Sequence, residues 1–425
     1  MSFSRRDFLK ASAAGIVIGA FPSIAFASSE LVKKKGLRVV VVGGGFGGAT
    51  AAKYIRQWSN HKIEVILIER NANFISCPLS NTVLGGSRTI DDLTHNYDTL
   101  KKKYGVKLIK GEVTAIDPDK QSVLLANGHL KYDRLIVSPG VDFMFDSVEG
   151  MTASVADESI PHAWKAGAQT VLLRKQLEAM PDGGVYALAI PKAPYRCPPG
   201  PYERACQVAH YFKTHKPKSK VLILDANADI VSKKGLFLSA WKELYPDMVE
   251  YRANAAVLKV DVATKTAKTE FDDVKADVLN IVPAMRAGKV ADMAGVANVD
   301  GRWCGVDFLT YESKVRKNIH IIGDAVAAAL PKSGHMATSQ AKVCAAAVIE
   351  LMQGQPPDQS PTVANTCYSM VSDHEAIHVA NVYRYNAEKQ AMVAADGGGV
   401  SAKRSELEGS FANYWLRNIL NDTLL

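Results

Sequence analysis

A cysteine stands in a proline-rich turn where a nucleotide-binding unit would carry glycines. The segment Val185 to Arg204, VYALAIPKAPYRCPPGPYER, begins as an apolar strand and then reaches Cys197. Pro198, Pro199 and Pro201 carry no backbone N–H and stiffen the chain, whereas a phosphate-binding turn needs open N–H groups. The turn therefore favours presentation of a reactive sulfur. A structural cysteine in a rigid loop is the alternative.

The glycines of a dinucleotide site come near the start of the chain. An apolar run, LRVVVV, opens onto GGGFGG, in which Gly43, Gly45 and Gly48 fit the G-x-G-x-x-G pattern, and an Ala-rich helix follows. A second predicted strand ends at Glu69, 21 residues after Gly48, where a carboxylate can bind an adenosine ribose. We therefore predict an adenine dinucleotide, with Glu69 on its adenosine ribose and Arg70 as a further cofactor-binding residue. For Glu69, an ordinary charged strand end is the alternative.

Two later segments resemble those of the two-dinucleotide-fold flavoprotein reductases. YDRLIVSPG, ending at Gly140, looks like the strand and turn that close their FAD domain, and NIHIIGDA, with Gly323 and Asp324, resembles their second FAD motif. The resemblance implies that Asp324 hydrogen-bonds the ribityl hydroxyls and that the next helix points its N-terminus at the flavin. A positive helix end there stabilises the reduced ring.

The second nucleotide-binding unit departs from those reductases. It begins near Gly183, but the Cys197 loop replaces its glycine motif, so NAD(P)H is not the expected electron donor. In the loop after Glu69, NFISCPLSN places Cys77 beside the expected dimethylbenzene edge of the flavin. A thioether bond to FAD is therefore a candidate role for Cys77.

Nearly the whole chain resembles the flavoprotein subunit of flavocytochrome c sulfide dehydrogenase. Besides the FAD motifs and the Cys197 loop, the likeness includes HAWKAG from His162, PKSGHM from Pro331 and NTCY from Asn365.

The resemblance implies a role for four side chains. FAD is expected to be covalently bound to Cys77, a redox-active disulfide is expected at Cys197 and Cys367, and Glu203 is expected to act as a base. Sulfide, as HS⁻, would attack the disulfide by thiol–disulfide exchange, and the resulting thiolate would reduce the flavin. For Glu203, a solvated helix residue or an ion-pair partner of Arg204 is the alternative.

Electrons must then leave the flavin one at a time, and the sequence contains no C-x-x-C-H haem-attachment motif. The resemblance implies a heterodimer with a c-type cytochrome subunit that carries the haem. The chain from about Thr362 onward is expected to face this subunit, with FANYWL from Phe411 in contact. Packing of these aromatic residues on the protein's own core is equally compatible with the sequence.

The remaining cysteines, Cys206, Cys304 and Cys344, are interpreted as packing residues, and His335 as structural. No spacing of His and Cys residues indicates a metal site.

The composition and the N-terminus indicate an exported globular protein. The chain has 425 residues, 47% of them hydrophobic and 22% charged. It begins with SRRDFLK, an uncharged run and the small-x-small site Ala25-Phe26-Ala27, which together predict a twin-arginine signal peptide at 1–27 and a periplasmic protein. An N-terminal membrane anchor is the weaker alternative. The net charge of +8 comes without a basic, aromatic-rich cluster, so neither nucleic acid nor an integral membrane segment is expected.

The expected fold is α/β, with two Rossmann-like three-layer nucleotide-fold domains and a C-terminal α+β domain. The predicted FAD domain is split between 36–145 and 290–355. The second nucleotide-fold domain, without an NAD motif, occupies 146–289, and the C-terminal, cytochrome-facing domain occupies 360–425.

Three other functions remain open from the sequence. A sulfide:quinone oxidoreductase shares the fold and the sulfur chemistry, but it would need a membrane-binding C-terminus, which the mixed segment 413–425 supports only weakly. A non-catalytic flavoprotein binding module would not need Cys197. A type II NADH dehydrogenase is disfavoured by the missing second glycine turn.

Overall fold

The computed structural model describes residues 29–425. The signal peptide expected at 1–27 lies outside the described residues. Within 29–425, no helix has both the length and the apolar composition needed to cross a membrane.

The strands are short and mostly buried. In chain order they are β1 (Arg38–Val42), β2 (Glu64–Glu69), β3 (Phe74–Ile75), β4 (Thr94–His95), β5 (Lys107–Lys110), β6 (Val113–Asp117), β7 (Ser122–Leu125), β8 (Gly128–Lys131), β9 (Arg134–Val137), β10 (Val141–Met144), β11 (Val185–Ile190), β12 (Lys220–Asp225), β13 (Val249–Arg252), β14 (Lys259–Asp261), β15 (Thr266–Lys268), β16 (Asp273–Lys275), β17 (Val278–Ile281), β18 (Ala284–Ala287), β19 (Ile319–Ile321), β20 (Thr362–Met370), β21 (Ala376–Asn386), β22 (Ala391–Ala394) and β23 (Gly399–Val400).

In the two Rossmann-like units, which are built on the two parallel sheets described below, the α-helices alternate with the strands. They are α1 (Phe46–Trp58), α2 (Asn81–Gly85), α3 (Asp98–Lys102), α4 (Ala153–Glu158), α5 (Ala168–Ala179), α6 (Gly200–His215), α7 (Lys234–Leu244), α8 (Val290–Met293), α9 (Gly334–Met352) and α10 (Glu406–Thr423).

The first sheet is parallel and has the strand order β19-β9-β1-β2-β5. Every residue of β1 is buried, as expected for a central strand covered on both faces. Because β19 follows the second unit in the chain, this sheet is built from two separate segments. The carboxyl ends of its parallel strands meet at one edge, which brings Gly43, Glu69 and Ser138 together.

The second sheet is also parallel, with the order β13-β12-β11-β17. The Cys197 loop follows β11 and leads into α6, so it occupies the strand-to-helix turn of this unit. The C-terminal part pairs β20, β21, β22 and β23 as an antiparallel sheet, and α10 packs on it. The predicted α/β class, with two Rossmann-like units and an α+β C-terminal part, is confirmed.

The end of α10 fastens the C-terminal part to the first unit. Tyr54 on α1 donates a hydrogen bond to Asp422 Oδ1 at 2.7 Å, and Lys342 Nζ on α9 lies 2.6 Å from Asp422 Oδ2. Lys53 Nζ reaches the carbonyl O of Leu425 at 2.6 Å. These contacts hold β20, which carries Cys367, beside the first unit.

Candidate active site

The first glycine turn is shaped by close backbone contacts. Gly43 has φ +100°, and a Cβ there would overlap the carbonyl O of Ser138. A Cβ on Gly48 would overlap the carbonyl O of Gly43, whereas one on Gly45 would meet no atom within 4 Å. Glycine is thus needed at 43 and 48 for the turn itself, and at 45 it leaves room for a ligand close to the backbone.

Glu69 lies at the end of β2 beside this turn. Its Oε2 accepts a hydrogen bond from the Gly44 N–H at 2.7 Å, and its Oε1 accepts from the backbone and side-chain nitrogens of Asn71, each at 2.8 Å. Arg70 points largely into solvent, 3.7 Å from a carboxylate oxygen of Glu112. Of these two predicted cofactor-binding residues, Glu69 therefore contacts the glycine turn directly, whereas Arg70 lies beside Glu112.

A cavity of about 740 Å³ runs from the glycine turn to the Cys77 loop and the second FAD motif. Its lining contains all the predicted cofactor residues except Gly48, which lies behind the turn: Gly43, Gly45, Glu69, Arg70, Cys77, Gly140, Gly323 and Asp324. Gly140 and Gly323 have φ +62° and +81°, in the region that favours glycine.

Asp324 carries the clearest sign that a polar ligand belongs in this cavity. Its Oδ1 is buried and has no hydrogen-bond partner among residues 29–425. Burial raises the pKa of this carboxyl, so it benefits from a hydroxyl partner. Lys332 Nζ fixes the backbone here by donating to the carbonyl oxygens of Asp324 at 2.7 Å and Val326 at 2.8 Å. The glycine turn, the unpartnered Asp324 oxygen and the extended cavity fit FAD.

Cys77 is half-buried at the edge of the same cavity. The chain is held on either side of it: the Ser76 N–H donates to the Leu93 carbonyl O at 2.9 Å, and the Ser80 N–H donates to the Cys77 carbonyl O at 3.0 Å. The thiol is thus presented to the cavity by a fixed loop.

Cys197 adopts a left-handed backbone conformation, with φ +58°. Such a conformation costs a residue other than glycine about 1–2 kcal/mol. Two backbone hydrogen bonds hold it: the Cys197 N–H donates to the Lys332 carbonyl O at 2.7 Å, and the Gly200 N–H donates to the Cys197 carbonyl O at 2.8 Å. The first of these bonds joins the Cys197 loop to the PKSGHM segment that follows the second FAD motif. Strained backbone of this kind is common at functional sites.

Cys367 is buried on β20, and its thiol lies within hydrogen-bonding reach of the Cys197 thiol. The two sulfurs are not bonded to each other in this structure. The hydrogen bond from Cys197 lowers the pKa of the Cys367 thiol, whereas the same contact, together with burial, raises the pKa of Cys197. Of the two, Cys367 is therefore the one that more readily carries a thiolate.

Lys233 is a buried cation on the other side of Cys367. Its Nζ donates to the Cys367 carbonyl O at 3.0 Å and to Ser369 Oγ at 2.8 Å. Its positive charge also helps to lower the pKa of the Cys367 thiol.

Glu203 is buried on α6 between the two cysteine-bearing elements. Its Oε1 accepts from the Met370 N–H at 2.9 Å, and its Oε2 accepts from Asn81 Nδ2 at 2.9 Å. Burial raises the pKa of its carboxyl. Both alternative interpretations of Glu203 are wrong: it is not solvated, and Arg204 makes no ion pair with it within the described chain.

Arg204 instead has a structural role. Its guanidinium donates to Asn81 Oδ1 at 3.0 Å, to the His162 carbonyl O and Asn280 Oδ1 at 2.8 Å each, and to the Ala163 carbonyl O at 2.6 Å. It therefore joins α2, the segment around His162 and β17.

The other cysteines are buried away from this cluster. Burial raises the pKa of Cys206, whose sulfur accepts a hydrogen bond from Trp241 Nε1 at 3.2 Å. Burial also raises the pKa of Cys344, and that of Cys304 to about 12. His335 Nδ1 accepts from the Thr366 N–H at 2.9 Å, which is a structural contact.

Two residues of the cluster, Asn81 and Lys233, were not predicted from the sequence. Asn81 lies within the quoted NFISCPLSN segment, but its contact with Glu203 depends on the packing of α2 against α6. Lys233 lies in a polar loop with no motif around it, and only the folded chain places it beside Cys367.

The aromatic C-terminal helix divides into two faces. Trp415 packs inward, with its ring 5.7 Å from that of Tyr368. Leu407, Phe411 and Tyr414 remain 62%, 44% and 58% exposed. Their spacing of four and three residues places them on one side of α10.

Three protein-family models match the chain. They are described as pyridine nucleotide-disulphide oxidoreductase, matching 37–171; sulfide dehydrogenase (flavocytochrome c) flavoprotein chain, central, matching 170–283; and flavocytochrome c sulphide dehydrogenase, flavin-binding, matching 359–424.

Individual relatives agree with these matches. The flavoprotein chain of sulfide dehydrogenase (flavocytochrome c) from Chlorobaculum thiosulfatiphilum is 56% identical over 46 residues, which are 11% of this chain and 94% of that sequence. The mitochondrial sulfide:quinone oxidoreductase of Dictyostelium discoideum is 24% identical over 332 residues, 75% of this chain and 72% of that one.

Among solved structures, the sulfide:quinone oxidoreductase of Aquifex aeolicus has a TM-score of 0.73 at 20% identity and covers 92% of both chains, which shows a shared fold. The expected family is confirmed: this chain belongs to the family of the flavoprotein chain of flavocytochrome c sulfide dehydrogenase, and it is a flavin-dependent oxidoreductase.

Proposed function

We propose that this protein oxidises sulfide at the Cys197–Cys367 pair, passes two electrons to FAD held covalently on Cys77, and delivers them to a c-type cytochrome subunit. The observation that carries the proposal is the contact between the two thiols, made by residues from different domains beside a cavity that fits FAD. Packing alone does not require two cysteines to meet at a strained loop bordering a cofactor site.

In the first step, the oxidised pair is a disulfide, and HS⁻ attacks one of its sulfurs. The Cys197–Cys367 bond breaks, a new S–S bond forms, and the products are one persulfide and one thiolate. Cys367 is the better leaving group, because the positive charge of the nearby Lys233 lowers the pKa of its thiol. HS⁻ therefore attacks Cys197, which becomes the persulfide.

In the second step, the outer persulfide sulfur bonds to the Cys367 sulfur while the pair loses two electrons and one proton, and the resulting trisulfide holds the added sulfur at the zero-valent level. When bound, FAD supplies the two-electron acceptor. Glu203 takes the proton, since its raised carboxyl pKa suits a base working near neutral pH. The Met370 and Asn81 hydrogen bonds keep its carboxylate oriented during this transfer.

The electrons leave through a partner chain, because this chain carries no haem-attachment motif. The family name, flavocytochrome c, supports a cytochrome as the acceptor. The exposed apolar face of α10, formed by Leu407, Phe411 and Tyr414, is the surface that we assign to it. The predicted twin-arginine signal is the basis for proposing a periplasmic complex.

The proposal is tested by adding sulfide to the oxidised protein without oxygen and following the FAD absorbance. We expect the flavin to be bleached, and addition of oxidised cytochrome c subunit should restore the flavin spectrum while the haem is reduced. An oxidised flavin that does not respond to sulfide, in protein that dithionite still reduces, contradicts the proposal.

A sulfide:quinone oxidoreductase is the second candidate, favoured by the Dictyostelium relative and by the shared fold with the Aquifex enzyme. It predicts that a soluble quinone analogue reoxidises the sulfide-reduced flavin faster than the cytochrome subunit does. Comparison of the two acceptors on the same reduced protein separates these functions.

A further inference from the structure

Arg196, immediately before Cys197, lines the FAD cavity without a partner. Its side chain makes no hydrogen bond and no ion pair within residues 29–425, and its Nη2 is buried and unsatisfied. Arg204, in the following helix, provides the contrast, because that guanidinium is saturated by four acceptors. Structural packing therefore accounts for Arg204 but not for Arg196.

The main chain of Arg196 is fixed on both sides. Trp164 Nε1 donates to its carbonyl O at 2.9 Å, and its own N–H donates to Met285 Sδ at 3.3 Å. The groups close enough to act on its charge are Cys77, Asp324 and Cys197. A guanidinium is thus held at the wall of the cavity, near Cys77, the proposed flavin anchor, and near Cys197.

A half-buried guanidinium whose inner nitrogen has no hydrogen-bond partner is unfavourable unless a ligand supplies one. Cys77, Asp324 and Cys197 favour its charged form and raise its pKa, but none of these described residues accepts a hydrogen bond from it. FAD offers two anionic parts: the pyrophosphate, which belongs at the Gly43–Gly48 turn and the N-terminus of α1, and the ring, which becomes negative when it accepts two electrons and one proton. Arg196 lies near Cys77 and Cys197, and this position favours the flavin ring over the pyrophosphate as its partner.

We propose that Arg196 acts directly on the flavin ring and stabilises the negative charge that the ring gains on reduction. It is then a catalytic residue for electron acceptance, distinct from the cysteines and from Glu203. The inference rests on the flavin site of the proposed function and not on sulfide as the electron donor.

The test measures the reduction potential of the bound flavin by anaerobic dithionite titration with reference dyes, so it needs no sulfide. Arg196→Met and Arg196→Gln remove the charge, Arg196→Lys keeps it, and Arg316→Gln removes a guanidinium at an exposed site as a control. We expect the Met and Gln variants to lower the equilibrium constant for reduction at least tenfold, or about 30 mV for a two-electron couple. The Lys and Arg316 variants should stay near the wild-type value.

Other outcomes overturn the proposal. An unchanged potential with a lower FAD content assigns Arg196 to the pyrophosphate, and an unchanged potential with a raised KM for sulfide assigns it to the anionic substrate.

A second measurement uses the wild-type protein and therefore does not depend on a variant that folds. If the reduced ring is anionic, it takes up one proton for every two electrons. The reduction potential then changes by about 30 mV for each tenfold change in proton concentration.

This slope is measured from about pH 6 to about pH 7, below the pKa of Lys332, which burial lowers to about 8. The other charged or titratable groups facing this part of the cavity are Asp324, Cys77, Cys197, and Lys165 with its ion-pair partner Asp142. A slope of about 60 mV, which corresponds to two protons and a neutral reduced ring, overturns the inference.

Discussion

The carboxylate of Glu203 accepts a hydrogen bond from the backbone N–H of Met370, with its Oε1 2.9 Å from the nitrogen. Glu203 lies six residues after Cys197 on α6, and Met370 lies three residues after Cys367 at the end of β20. The bond therefore joins α6, which begins three residues after Cys197, to β20, which carries Cys367. This buried carboxylate therefore helps to hold α6 and β20 together, and in the proposed reaction it accepts the proton.

Glu203→Gln removes the base while keeping the size of the side chain. We expect sulfide-dependent flavin reduction to slow by about 10²–10⁴-fold, the usual contribution of a general base. In the wild type, the rate rises with pH through the raised pKa of Glu203, because the carboxyl is a base only when ionised. The variant should lose this rise and keep only the one that ionisation of H₂S to HS⁻ causes. Stopped-flow absorbance across a pH series measures both effects.

Glu388→Gln, at an exposed turn, is the control and should retain the wild-type rate and profile. A Glu203→Gln profile identical to that of the wild type would assign the proton transfer to another group.

Cys197→Ser should abolish flavin bleaching by sulfide, because a hydroxyl cannot form the disulfide that HS⁻ attacks. Cys206→Ser is the matched control: it lies nine residues further on, buried on α6, and a serine can still accept the hydrogen bond from Trp241. Rapid mixing with sulfide in the absence of oxygen measures the rate in each variant. Bleaching at an undiminished rate in Cys197→Ser would favour a non-catalytic role for the cysteine pair.

Cys77→Ser should release FAD when the protein is denatured in acid, whereas the wild type should keep it on the peptide that contains Cys77. The structure places this thiol on a fixed loop at the cavity edge, as a covalent anchor requires. Absorbance of the acid supernatant and the mass of the peptide measure the attachment. Cys344→Ala, buried in α9, should leave the flavin attached; free FAD from the wild type would exclude the thioether bond.

The cofactor-binding half of the site could be predicted from the sequence because its signals are local. The glycine turn, Glu69 at the end of β2 and the GDA segment at Gly323 each combine a strand with the turn that follows it, and parallel strands bring these turns to one edge. The same rule predicted the two Rossmann-like units. The prediction of the second unit is correct even though the Cys197 loop replaces its glycine motif.

The other half of the site, which contains Cys197, Cys367 and Glu203, depends on contacts between segments that are distant in the sequence. No local sequence pattern reveals such contacts. The left-handed conformation of Cys197 is held by Lys332, and the partners of Glu203 come from α2 and β20. Lys233 reaches the Cys367 carbonyl from a loop in the second unit. Burial of Glu203, which decides between a base and a solvated residue, is likewise a property of the packed chain.

Gly48→Ala should destabilise the protein by roughly 1–3 kcal/mol and reduce its FAD content, because the new methyl group would overlap the Gly43 carbonyl O. Gly235→Ala, on α7, is the opposite case, since its Cβ would meet no atom within 4 Å. We expect that change to stabilise the helix by about 0.5–1 kcal/mol. Urea unfolding of both variants, with flavin absorbance, checks the pair; a Gly48→Ala protein as stable as the wild type would contradict the close contact.

The exposed apolar face of α10 provides the last prediction. Phe411→Asp and Tyr414→Asp should each weaken binding of the c-type cytochrome subunit by about 2 kcal/mol, roughly 30-fold, since aromatic residues dominate interfaces and a carboxylate there would be desolvated. Phe271→Asp alters an even more exposed aromatic residue, 77% accessible on the β15–β16 turn, and should leave binding unchanged. Calorimetric titration measures the three affinities. Phe411 and Tyr414 lie on the solvent side of α10, so sulfide should still bleach the flavin in every variant. A variant that loses only cytochrome reduction therefore assigns this face of α10 to electron transfer. Equal weakening by Phe271→Asp would instead indicate that the cytochrome docks elsewhere.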